Sequence, residues 1–180
     1  MPLLREETYT IEDIYALPEG ERAELIDGHI YYMAPSSRKH QDISMELSSV
    51  IKDYIRSHGG KCKVYAAPFA VHLDEKTDTY VEPDIAVICD PDKLDDKGCK
   101  GAPDWIIEIV SPGSRQMDYY TKLFKYRTAG VREYWIVDPT KNFILVYDFE
   151  NNESEQYTLQ DSVKVGIYDD LAIDFGRMDI

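Results

Sequence analysis

The sequence predicts an α/β (α+β) fold, strands with flanking helices, in one domain over residues 1–180. Three observations carry this expectation. Two segments space their apolar residues at helical intervals, several short runs have strand character, and no repeat or linker divides the chain. A length of 180 residues also falls within the usual size of one domain, about 100–200 residues. Hydrophobic residues at 43% of the chain are enough for a core and exclude disorder of the whole chain.

Thr10, followed by Glu12 and Asp13, starts a short helix that Pro18 and Gly20 close. AELIDGHIYYM then reads as two strands around Asp27-Gly28, residues that tolerate the positive φ of a type I′ turn. Ser36 or Ser37 caps a long helix with Ile43, Leu47, Val50, Ile51, Tyr54 and Ile55 on one face, ended by Gly59-Gly60. Residues 61–73 give one or two strands, and 80–90 another, with Pro83 marking an edge or bulge. Residues 91–104 read as a polar loop. DWIIEIVS, 104–111, lies between Pro103 and Pro112 and reads as a strand buried on both faces. A second helix runs from a Ser114 cap to about Thr128, closed by Gly130. REYWIVD and FILVYDF form a hairpin around residues 139–142, and the remainder holds weaker strands with acidic loops.

Several function classes are excluded at this level. No apolar run approaches the roughly 18 residues of a membrane span, and MPLLREETYT lacks the plan of a signal peptide, so a cytoplasmic protein with no membrane partner is expected. Neither G-x-x-x-x-G-K-[ST] nor G-x-G-x-x-G occurs, which argues against a nucleotide-dependent enzyme. Cys62, Cys89 and Cys99 are odd in number and fit neither a disulfide framework nor paired zinc ligands; they read as reduced bystanders. A net charge of -14 argues against tight, non-specific nucleic-acid binding. Residues 141–180 contribute -6 of it, whereas 115–132 carry Arg115, Lys122, Lys125, Arg127 and Arg132 against Asp118 alone, a local net of +4.

Two acids stand where apolar residues belong. Glu108 lies in the middle of DWIIEIVS, and burying an unpaired carboxylate costs several kcal/mol. Alternation puts it on one face with Asp104, Ile106 and Val110, opposite Trp105, Ile107, Ile109 and Ser111. It needs a partner, either an Arg or Tyr from a neighbouring strand or a cation. Asp84, in VEPDIAVI, repeats the pattern, with a strand-end Asp tied to backbone N–H groups as the alternative. Two acids on neighbouring strands would be reconciled by a divalent cation, Mg²⁺ or Mn²⁺ by the hardness of oxygen ligands. On the following helix Asp118, Lys122 and Tyr126 share one face at i, i+4 and i+8. Alone this is an ordinary Asp–Lys pair, but the short connection from the strand lets Lys122 fold back toward Glu108.

VEPDIAVI, PDWIIEIVSPGS, the D-x3-K-x3-Y helix and GVREYWIVDP together resemble the Uma-two family of endonucleases, over about Tyr9 to Asp138. The resemblance implies a restriction endonuclease-like (PD-(D/E)xK) fold, a mixed central sheet flanked by helices with an N-terminal β-hairpin. It further implies metal on Asp84, Glu108 and the carbonyl of Ile109, an auxiliary acid at Glu24, and Lys122 as the catalytic lysine. The general pattern carries a lysine two residues after the second acid, where this chain has Val110, so Lys122 serves only by having migrated onto the helix. The implied reaction is metal-assisted hydrolysis of a DNA phosphodiester.

Arg38, Lys39 and His40 stand in the first turn of the long helix, where positive charge opposes the macrodipole, so a bound phosphate or simple solvation explains them. His40 also resembles a recurrent histidine of the family. With Arg115 these are the substrate-binding candidates. Tyr134, Trp135 and Tyr147 either stack on bases or fill the core, and the apolar hairpin at 132–149 offers a homodimer surface. DNA, weakly held, is the expected partner. A silent nucleic-acid-binding or protein-interaction module on the same scaffold is the competing reading, favoured by Val110; a two-carboxylate glycosidase has no support beyond the acids.

Overall fold

A computed structural model of the chain describes residues 8–74, 76 and 78–180. Residues 1–7, most of the segment read as lacking a signal-peptide plan, lie outside the described residues. Asp13 accepts from the Thr10 N–H at 2.7 Å and opens α1 (Ile11–Tyr15). The hairpin follows as β1 (Ala23–Ile26) and β2 (His29–Tyr32), with Asp27 at φ 53° and Gly28 at φ 76°, both in the left-handed region. Ser37 Oγ accepts from the His40 N–H and caps α2 (Arg38–Ser57), which buries Ile43, Leu47, Ile51 and Ile55 as the spacing requires. Next come β3 (Lys63–Ala66), β4 (Val71–Asp74), β5 (Thr79–Val81) and β6 (Ile85–Ile88). β7 (Leu94–Asp95), β8 (Gly98–Lys100) and β9 (Trp105–Ile109) lead to α3 (Lys122–Ala129). The chain ends with β10 (Glu133–Asp138), β11 (Phe143–Asp148), β12 (Glu153–Tyr157), β13 (Ser162–Lys164) and β14 (Ala172–Asp174).

Two six-stranded sheets dominate. The first runs β2-β1-β5-β4-β8-β7 and the second β12-β11-β10-β9-β6-β3. β9 and β10 are parallel, joined through α3, while β6 lies antiparallel to β9. Trp105, Ile107 and Ile109 pack on the α2 side of the second sheet with Val163 and Phe175. Ile106 and Val110 face the other way, into a core with Tyr126 of α3 and with Ile26, Val71 and Val81 of the first sheet. Alternation along β9 therefore sends Glu108 into the space between the two sheets, under α3. α1 covers the outer face of the first sheet through Ile14, Leu25 and Tyr80.

Four sequence expectations need correction. The strand read over 80–90 is two strands, β5 and β6, in different sheets, because Glu82-Pro83-Asp84 breaks the pairing where proline has no N–H to donate. The polar loop at 91–104 contains the β7–β8 hairpin. Cys62 and Cys89 form a disulfide, since β3 and β6 pair antiparallel with Lys63 opposite Ile88 and so bring the next two residues face to face; Cys99 is a buried free thiol. Two of the hairpin's three aromatic candidates for base stacking, Tyr134 and Trp135, are instead fully buried core residues on interior β10, while Tyr147 on β11 is half-buried. Among the described residues no helix is long and apolar enough to cross a membrane.

Candidate active site

Asp84 immediately precedes β6 and faces Glu108, one step along from the Ile85–Ile107 pair. Cross-strand neighbours stand about 4.5–5.5 Å apart at Cβ, so the register alone brings the two acids together. Asp84 Oδ2 accepts from the Ile109 N–H at 2.7 Å, and the Asp84 N–H lies 3.4 Å from Glu108 Oε2. Asp84 is thus partly the strand-end acid tied to backbone that the sequence allowed. His40 reaches across from the first turn of α2, with Nε2 3.1 Å from Asp84 Oδ2. Burial pulls the imidazole pKa down, but the hydrogen bond and charge of Asp84 outweigh it and leave the pKa raised above 6.5.

Lys122 closes the cluster from above. Its Nζ lies 2.9 Å from Glu24 Oε1 on β1, 3.0 Å from Glu108 Oε1 on β9 and 3.8 Å from Asp118 Oδ1. The ammonium is 5% exposed, and although burial disfavours its charge, Glu108, Glu24 and Asp118 hold its pKa well above the ordinary lysine value. Burial pushes Glu108 well above the usual carboxylate range, with Lys122 pulling the other way. Tyr126 donates to the same Glu108 Oε1 at 2.6 Å, and Glu24 Oε1 also accepts from the Glu82 N–H at 3.0 Å. The protein partners of Glu108 are thus a lysine and a tyrosine from the helix, neither from a neighbouring strand.

The helix enters the site through a π-helical segment, Met117–Thr121, immediately before α3. Such single-turn widenings occur often at functional sites, and this one carries Asp118. Ser114 Oγ donates to Asp118 Oδ2 at 2.5 Å, and Tyr134 donates to the Asp118 carbonyl at 2.9 Å. Asp118 is 1% exposed, and burial raises its carboxyl from 3.8 to about 6. Asp118 and Tyr126 were read as polar tips on one helix face without a role in the site. The signal that would have found Asp118 is its spacing of four from both Ser114 and Lys122 on a face that has to be buried.

The remaining candidates fall elsewhere. Ile109 turns its side chain into the α2 core while its main chain stays beside Asp84 and His40. Arg38 pairs with Asp42 one turn along α2, and Lys39 is exposed. Arg115 is bound to buried Asp138 at 3.5 Å, so it braces the end of β10. Val110 is 3% exposed within the core between the sheets. Among the described residues no group of three or more His, Cys, Asp and Glu side chains is arranged to hold a metal ion.

A mixed sheet with acids at the facing ends of two antiparallel strands, and a lysine closing over them, defines a restriction endonuclease-like α+β protein. Residues 10–173 match the Uma2 family, described as "Putative restriction endonuclease", and the chain belongs to that family. It is 28% identical over 130 residues to "Uncharacterized protein slr1290" of Synechocystis sp., an alignment covering 72% of this chain and 67% of that protein. The fold is that of a "putative nuclease belonging to DUF820" from Anabaena variabilis, with a TM-score of 0.75 at 23% identity, covering 92% of this chain and 94% of the other.

Proposed function

We propose that the chain is a single-domain, metal-dependent endonuclease that hydrolyses DNA phosphodiester bonds. The observation that supports this most is the meeting of Glu24, Asp84, Glu108 and Lys122 from two sheets and one helix, in a cluster where acids outnumber cations. Four carboxylates, counting Asp118, face one lysine and one histidine, and Asp118 Oδ1 is buried without a hydrogen-bond partner. That excess of negative charge and the all-oxygen donor set fit a hard divalent ion, Mg²⁺ or Mn²⁺. Asp84, Glu108 and the Ile109 carbonyl would hold it, with water completing the set as is usual for Mg²⁺.

A bound cation would polarise the phosphoryl oxygen and acidify a water. The protein's own groups then have separable tasks. Lys122, kept protonated, offers positive charge to the phosphoryl oxygens as the water oxygen attacks phosphorus and the bond to the leaving oxygen breaks. Glu24 anchors that ammonium from the first sheet. Tyr126 fixes the rotamer of Glu108, and His40 fixes Asp84. Arg38 and Lys39, exposed at the start of α2, would meet the DNA backbone. Duplex cleavage would engage two copies as a homodimer, which sedimentation at assay concentration checks.

Val110 in place of the usual lysine favours the competing silent module. Lys122, whose Nζ lies 3.0 Å from Glu108 Oε1, would supply the missing ammonium from another element, and this supports the enzyme reading. The test is cleavage of linear, supercoiled and single-stranded DNA with Mg²⁺ or Mn²⁺ against EDTA, beside Asp84→Ala and Lys122→Ala. We expect metal-dependent cleavage that each variant lowers by at least about 100-fold, the scale of losing one transition-state charge partner. Unchanged cleavage by Asp84→Ala would sink the assignment.

A further inference from the structure

Lys122 stands on two carboxylates with a third within reach. An ammonium has three N–H donors, and two of its carboxylate neighbours are at hydrogen-bonding distance, Glu24 at 2.9 Å and Glu108 at 3.0 Å. The third, Asp118 Oδ1, is 3.8 Å away. That oxygen is buried and has no hydrogen-bond partner among the described residues, while Oδ2 is pinned by Ser114 Oγ at 2.5 Å. A buried acceptor is seldom left empty. This one lies beside the ammonium and just outside its grasp.

We propose that Asp118 is a second station for Lys122, taking the ammonium when Glu108 turns to a divalent cation. The inference rests on the metal-dependent reading above and adds a positioning residue to it. In the present arrangement Lys122 occupies the same carboxylate that the cation needs, and two positive charges on one buried group oppose each other. A displacement of about 1 Å brings Nζ to the 2.7–2.9 Å typical of a charged N–H···O bond. Glu24, bonded to the same nitrogen, acts as the pivot. Tyr126 keeps its bond to Glu108 Oε1, so the carboxylate does not follow the lysine. Ser114 holds Oδ2, so Asp118 stays in place to receive it. No proton is transferred and no covalent bond changes; one ammonium is redistributed among three carboxylates.

Calorimetric titration with Mn²⁺ of the full chain, stripped with EDTA, tests this in the wild type, Asp118→Asn, Lys122→Met and the double variant. Urea unfolding in EDTA establishes that each is folded, and Asp118→Ala gives the same comparison where Asn is not tolerated. Asp118→Asn is expected to weaken Mn²⁺ binding roughly tenfold, about 1.4 kcal/mol, because the ammonium then remains on Glu108. In the Lys122→Met background the same substitution is expected to change affinity by less than about twofold, the non-additivity of residues that act together. Equal weakening in both backgrounds, as a purely structural role through Ser114 gives, overturns the proposal, and so does unchanged affinity in Asp118→Asn. Wild type that binds no Mn²⁺ overturns the metal-dependent reading and this proposal together; wild type that binds, with additive variants, overturns this one alone.

Discussion

Asp118 is the residue whose environment departs furthest from its apparent role on a helix surface. Burial raises its carboxyl from 3.8 to about 6, so the folded state favours the protonated form. The stability this gives is complete below pH 3.8 and is lost as pH rises through about 6. Asp118→Asn, neutral throughout, should therefore gain on the wild type between those limits, by up to about 3 kcal/mol for a shift near two units, as read by urea unfolding in EDTA across that range. At residue scale the sequence was legible wherever an acid interrupted an apolar run. Asp84 and Glu108 stand out because strands that bury both faces have no inexpensive place for a carboxylate. Glu24 follows only from family resemblance, since nothing in AELI shows which of its two faces meets the second sheet. For Arg115 the sequence shows the charge but not its pairing with Asp138 at the end of β10.

Among the elements, the two long helices and the Asp27-Gly28 hairpin were legible, since each carries its period or turn chemistry locally. What was hidden depends on pairing across the chain. The β7–β8 hairpin has little hydrophobic pattern and is held by its neighbours: the Cys99 N–H donates to the Ala70 carbonyl at 2.9 Å, and β8 runs parallel to β4. Gly98 makes that approach possible. At φ +134° it adopts a conformation few side chains share, and a Cβ there would lie 2.2 Å from the Ala70 oxygen. Because the obstruction is backbone, Gly98→Ala should destabilise by on the order of 3 kcal/mol or more, with the denaturant midpoint as the readout. The Cys62–Cys89 bond was invisible for the same reason: a spacing of 27 residues says nothing until the register of β3 against β6 is known.

Across the whole molecule, charge is divided. Acid dominates the body, and the helix region 115–132 is locally basic at +4. Yet Lys125 is spent on Asp27, Arg132 on Asp104 and Glu150, and Arg115 on Asp138. The basic helix is thus mostly neutralised within the fold, a point the linear count could not reveal. Few cations of that helix remain for phosphates, so DNA held on this face should lose affinity only gently with salt, with a log–log slope of about -2 to -3, corresponding to two or three phosphates. Fluorescence anisotropy with a labelled duplex in Ca²⁺ measures it, and a slope near -8 would mean a basic surface outside this helix. Finally, the break at Glu82-Pro83-Asp84 has a consequence for biosynthesis. It hands the chain from one sheet to the other, so Glu24 belongs to one half of the assembly and Glu108 to the other. A chain in which only one sheet has formed, whether newly made or cut by a protease, lacks the complete cluster. The cluster is complete only where both sheets and α3 have docked, so a partly folded copy carries no complete site.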